Sequence, residues 1–188
     1  RVEKVDSSRF ESAMGLRGTE DPAHLARGLR ASYEIARATA ATLDTSEILD
    51  RTLAALFDIF EQAERAFLIL VDPQTHEVHT AAVRERVPGK GHGVAISRTA
   101  LEEAMREREA VLCQDAAADE RFAKSQSILS LGIRTMMIAP LLFRDQVLGA
   151  VHVDTITGVR EFTHADLELL SIAASQVAGC LANARLHE

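Results

Sequence analysis

Five short stretches of this sequence carry residue types that could do chemistry. The run Gly89-Lys90-Gly91-His92-Gly93 precedes a predicted helix, and consecutive backbone N–H groups in such a run can wrap an anion. A P-loop needs Gly-Lys-Ser/Thr running directly into its helix after a longer spacer, an order absent here, so a flexible connector is the simpler reading. His76 and His79 suggest a metal pair, but strand positions three apart point to opposite faces, so one ion is not readily held by both. Cys113 ends the apolar run Val111-Leu112-Cys113, where a lone cysteine usually acts as a small core residue. Cys180 falls in a helical pattern and reads as packing. Arg134 sits at the start of a predicted hairpin that also carries His152 and Asp154. His152 and Asp154 share one face of their strand, with Val151 and Val153 on the other. Such a polar pair can hydrogen-bond a ligand or line a half-exposed edge. No nucleophile elbow, HExxH, kinase signature or paired carboxylate stands out, which argues against an enzyme.

Composition narrows the classes further. Of 188 residues, 47% are apolar and 26% charged, the balance of an ordinary folded domain. Lys and Arg number 21 against 28 Asp and Glu, a net charge of −7, and there is no basic block for nucleic acid. No Trp and one Tyr leave few platforms for base stacking. No apolar run approaches the ~20 residues of a membrane span. Two cysteines suit neither a disulfide framework nor a four-thiolate zinc site, and a reducing cytoplasm is the expected compartment. The sequence starts at Arg1 without a signal-peptide pattern and is expected to be a piece of a longer protein.

The elements that must position these residues follow from periodicity and caps. Residues 1–22, with Gly15, Gly18 and Pro22, read as a linker. An Ala-rich helical pattern covers 23–43, with Leu25, Leu29, Ala36 and Ala40 roughly on one side. Asp44 and Glu47 are spaced as a capping box, with Leu43 and Ile48 as a hydrophobic staple, opening a helix through about residue 62. The run 66–71 predicts a central strand buried on both faces. A turn at Asp72-Pro73-Gln74-Thr75 sends the chain into an antiparallel partner over 77–84, and a Gly-rich loop follows over 87–93. Ser97 caps a helix to about residue 109, 111–113 is a short strand, and 115–131 is a loop with a helical turn or two. Residues 133–143 and 147–155 form a second hairpin. Thr163 and Asp166 open the last helix, with Phe162 and Leu167 as its staple. Leu167, Leu170, Ala174, Val177, Leu181 and Ala184 then recur in steps of three and four, predicting a coiled-coil seam covered by another chain. This order predicts an α+β fold: one antiparallel sheet, helices on one side, and a loop and short-helix layer on the other.

The ordered set Ile96-Ser97-Arg98-Thr99, Val111-Leu112-Cys113-Gln114-Asp115, Asp119-Glu120-Arg121-Phe122, Ile133 through Leu141, Val147 through Asp154, and the closing Phe162-Thr163, Asp166 through Leu170 and Ala182 through Leu186 resembles a GAF domain over about residues 25–188. The subtype is similar to GAF domains that follow a forkhead-associated domain in bacterial signalling proteins. The resemblance implies a PAS-like fold over 23–188, with terminal helices on one face and a small-molecule pocket on the other. It makes Cys113, Asp115, Phe122, Arg134, Met137 and His152 the pocket candidates. Cyclic-nucleotide-binding members resemble an Asn-Lys pair, a Phe and an acidic pair; here Phe122 is followed by Ala123-Lys124-Ser125-Gln126. Phe122 is then a lid aromatic or a core anchor. Bilin-binding members show Cys beside a pocket His, a pattern Cys113-Gln114-Asp115 departs from, and the sulfoxide-reducing members use several cysteines and a Trp. Met136 and Met137 are adjacent, so one faces each side of the sheet, as adaptable filler.

Function is therefore expected to be sensory or regulatory, with no cofactor indicated. A pocket ligand would shift the population of two helix arrangements. A homodimer through the terminal helices and a covalently linked output domain are the expected partners. A ligand-free dimerisation scaffold and a thiol-dependent reductase are the alternatives.

Overall fold

The computed structural model describes residues 2–6, 22–39, 42–87, 96–114, 133–157 and 160–187. Among these, six strands and four helices alternate as β1 (Val2–Asp6), α1 (Pro22–Thr39), α2 (Thr45–Ile59), β2 (Arg65–Val71), β3 (Val78–Glu85), α3 (Arg98–Glu107), β4 (Glu109–Cys113), β5 (Thr135–Phe143), β6 (Gln146–Thr155) and α4 (His164–Arg185). The strands make one antiparallel sheet in the order β1-β4-β5-β6-β2-β3. The sequence-predicted α+β fold is the one observed.

Local chemistry explains where the elements start and stop. The Asp44 side chain accepts from the Glu47 amide at 2.9 Å, half of the predicted capping box; Glu47 instead pairs with Arg51, and the Asp44 amide donates to Thr42. Ile48 is buried while Leu43 is half exposed. The Ser97 cap forms as predicted. At α4 both halves of the box close between Thr163 and Asp166. Asp72 accepts from the amides of Gln74 and Thr75, both at 2.8 Å, and so sets the β2–β3 turn. Arg108 ends α3 in the left-handed region at φ 59°, and its guanidinium donates to the carbonyls of Arg144 and Asp145 in the β5–β6 turn.

The period-2 alternation of the central strands divides the core in two. On one face, called proximal here, Leu68, Leu112, Met137, Val151 and Val153 pack with the apolar sides of α1, α2 and α4. On the distal face, Phe67, Ile69, Val111, Cys113, Met136, Ile138 and Ala150 pack with Ala100, Leu101 and Ala104 of α3. Gly149 is required where β6 crosses β2, since a Cβ there would lie 2.0 Å from the Ile69 carbonyl oxygen.

Two expectations change. The stretch 1–22 is not all linker, because Val2–Asp6 is an edge strand paired with β4. Its two apolar residues, Val2 and Val5, stand three apart and break the alternation that announces a strand. The α4 stripe is not an intermolecular seam. Leu167, Leu170, Ala174, Val177, Leu181 and Ala184 are all at most 1% exposed within their own protomer, where α4 lies across β5 and against α1 and α2. Leu169, Ala173, Ala178 and Ala182 are buried beside them, so the apolar face is as broad as a core helix needs. Length and composition alone would also let α4 cross a bilayer, although no 20-residue apolar run announced it; here its apolar residues fill the proximal core.

Candidate functional site

Strand parity brings three polar side chains together on the distal face. Arg65 opens β2 directly opposite Asp154 of β6, and His152 stands opposite Phe67. Arg65 is 2% exposed, while His152 and Asp154 are fully buried. The Arg65 guanidinium donates to Asp154 through Nε at 2.8 Å and through Nη2 at 2.6 Å. This is a two-pronged pair of the kind only arginine makes. His152 Nε2 donates to Asp154 Oδ2 at 2.9 Å, because a carboxylate only accepts.

Phe67 fills the space beside them. Its ring meets the His152 ring edge-on at 5.3 Å, and the Arg65 guanidinium carbon lies 5.4 Å from its centroid. Burial pushes the Asp154 carboxyl up. The hydrogen bond and charge of His152, with those of Arg65, push it down and prevail, leaving it below the ordinary carboxylate value. Next to the cluster, burial also pushes Glu64 up, but bonds from the Thr157 hydroxyl and the Ile156 and Thr157 amides hold it below its usual value.

Two atoms of this cluster are buried without a hydrogen-bond partner: Arg65 Nη1 and His152 Nδ1. The hydroxyls of Thr52 and Thr135 share that condition, but a lone hydroxyl is a smaller burden than an orphaned guanidinium edge. Folding alone gives no return for leaving a cationic donor and a ring nitrogen unmatched.

A separate cleft of about 860 Å³ opens between α3 and the β2–β3 hairpin. His76 and His79 both border it, with Arg98, Glu102 and Arg106 opposite. His76 is in the turn at φ 59° and off the strand, so the expectation of opposite strand faces does not apply to the pair. Among the described residues, no group of three or more His, Cys, Asp or Glu is placed to hold a metal ion.

The sequence candidates separate accordingly. His152 joins the cluster, and its pairing with Asp154 is internal instead of half exposed. Cys113 is buried on the same face, across from Met136. Met137 faces the proximal core, so Met136 is the methionine on the distal side. Arg134 is exposed and contributes its backbone N–H to Thr155. Asp115 and Phe122 lie outside the described residues, as does the run 89–93. Arg65 and Phe67 went unnoticed in the sequence. The signal available was an arginine abutting an apolar run long enough to be a central strand.

The sequence model of the GAF domain family matches residues 42–182. Nothing among curated proteins matches the chain. Among solved structures, the GAF domain of an Acinetobacter phosphoenolpyruvate-protein phosphotransferase superposes with a TM-score of 0.66 at 19% identity, covering 89% of this chain and 98% of its own. A free methionine-R-sulfoxide reductase from Neisseria meningitidis, solved with its substrate, gives 0.69 at 19% identity, with coverage of 91% and 96%. The phycoerythrobilin-bound GAF domain of a cyanobacterial phytochrome gives 0.68 at 13% identity, with coverage of 87% and 98%. At these identities the superpositions speak for the fold, and the matched span supplies the family: the chain belongs to the GAF domain family.

Proposed function

We propose that this GAF domain is a sensory module that takes a small molecule on the distal face of its sheet and passes the change through α1 and α4 to a linked output domain. The observation that carries this reading is the pair of unmatched buried atoms, Arg65 Nη1 and His152 Nδ1. A ligand that fills them gains hydrogen bonds the empty protein lacks. Two of the similar structures hold a small molecule, one its substrate and one a bilin, which supports a ligand on this fold.

The relay would run through the sheet itself. β5 and β6 carry Met136 and His152 on the distal face and Met137 and Val153 on the proximal one, so a shift of either strand is felt by α4. A ligand moves the equilibrium only by its difference in affinity for the two states. Native mass spectrometry of the purified protein and a thermal-shift screen against a broad small-molecule library test the reading. A specific ligand raises Tm by mass action. Absence of any co-purifying molecule and of any stabilising compound would sink it, in favour of the scaffold alternative.

A thiol-dependent reductase has less support, because Cys113 is completely buried and reactive thiols need access. The expected homodimer must use a surface other than the α4 stripe. The candidates are Leu29 and Tyr33, one turn apart on α1 and 51% and 63% exposed.

A further inference from the structure

The Arg65 guanidinium has two hydrogen-bonding edges. Asp154 fills the edge made of Nε–H and one Nη2–H. The other edge, Nη1–H with the second Nη2–H, is a donor fork of the same shape, and its Nη1 is buried with no partner. Two parallel N–H groups match two oxygens on one planar centre, which is the geometry of a carboxylate.

The surroundings select among oxyanions. Phe67 lies beside the guanidinium, Met136 is directly across from Asp154, Ile138 is across from His152, and Cys113 is across from Met136. Walls this apolar oppose a dianion far more than a monoanion. That places a carboxylate ahead of a phosphate, and it calls for a ligand body that is apolar. His152 Nδ1, an acceptor while Nε2 carries the proton given to Asp154, suits a hydroxyl or N–H on that body and not the carboxylate itself.

We propose that the distal face binds a small carboxylic acid with an apolar body, its carboxylate on the free edge of Arg65. This narrows the sensory reading given above and rests on it.

The test is calorimetric titration of the whole chain with benzoate, phenylacetate and isovalerate. Each is set against its neutral primary amide, with inorganic phosphate as the dianion control. The expected result is that at least one acid binds tenfold or more tightly than its amide, and that phosphate does not displace it. Arg65→Lys keeps the charge and loses the fork, so it should weaken that acid at least tenfold while the circular dichroism spectrum is unchanged. Should Arg65→Lys fail to fold, the wild type supplies the readout: guanidinium ¹⁵N resonances of the buried arginine move on adding the acid and stay fixed with the amide. Equal binding of acid and amide, preference for phosphate, or a stabilising library compound that is neutral overturns the carboxylate assignment and leaves the sensory reading standing. No binding by any probe, with no library compound stabilising the protein, removes both.

Discussion

Asp154 is one carboxylate serving two neighbours, and its position makes the cluster sensitive to single substitutions. Arg65→Met would leave a buried carboxylate with only His152 against it, which costs about 3–5 kcal/mol. Replacing both members of the ion pair, Arg65→Met with Asp154→Leu, should recover only part of that loss, since it removes the buried charge but leaves His152 Nε2 without a partner. Urea unfolding of the single and double variants checks this. Because the folded-state carboxyl lies below its ordinary value, its contribution is complete above the unfolded value near 4 and fades as pH falls through the folded one. Asp154→Asn should therefore flatten the acid limb of the stability–pH curve, read by thermal melts between pH 2 and 6. Sequence showed half of this site. Alternation alone put His152 and Asp154 on one face, but a lone arginine at a strand boundary looks solvent-facing until register sets it opposite Asp154. The choice between Met136 and Met137 failed for the same reason. Parity tells that two neighbours face opposite ways, and only the paired sheet tells which way.

Helices and strands were legible where two local signals agreed. α3 and α4 carry a cap and a 3.6-residue period together, and the two hairpins carry turn residues between apolar runs. α4 shows what such signals leave open. A repeat of three and four suits a coiled-coil partner and a sheet equally well, and only the neighbouring Leu169, Ala173, Ala178 and Ala182 show the wider stripe. Val177→Glu is consequently expected to unfold the protomer, with a loss of several kcal/mol from a buried unpaired charge, instead of merely loosening an association. Chemical denaturation separates the two outcomes. Glycines give a second contrast. Gly149→Ala drives a Cβ into the Ile69 backbone and should cost more than about 3 kcal/mol. Gly28→Ala meets only side-chain tips, Ile172 at 3.3 Å and Leu169 at 3.8 Å, and should fall within about 1 kcal/mol of neutral, since alanine favours the helix. Thermal melts of the two variants provide the comparison.

For the whole molecule, the sheet separates two tasks, with the polar cluster above it and the long helices below. Should a homodimer form, Leu29→Glu with Tyr33→Glu would abolish it at unchanged protomer stability, as light scattering beside a melting curve would show. The edge strand crosses this division. Alternating side chains let Glu3 of β1 reach His164 at the start of α4, at 3.0 Å, while Lys4 reaches Glu103 of α3 at 2.8 Å. The same five residues cover the backbone of β4. A protein shortened by its first six residues would present an unfinished row of amides and carbonyls to its surroundings, an invitation to any extended peptide, its own duplicates included, to continue the sheet. With them in place those few residues clasp the two layers together, and their lifting would loosen both while moving the open border of the sheet from β1 to β4.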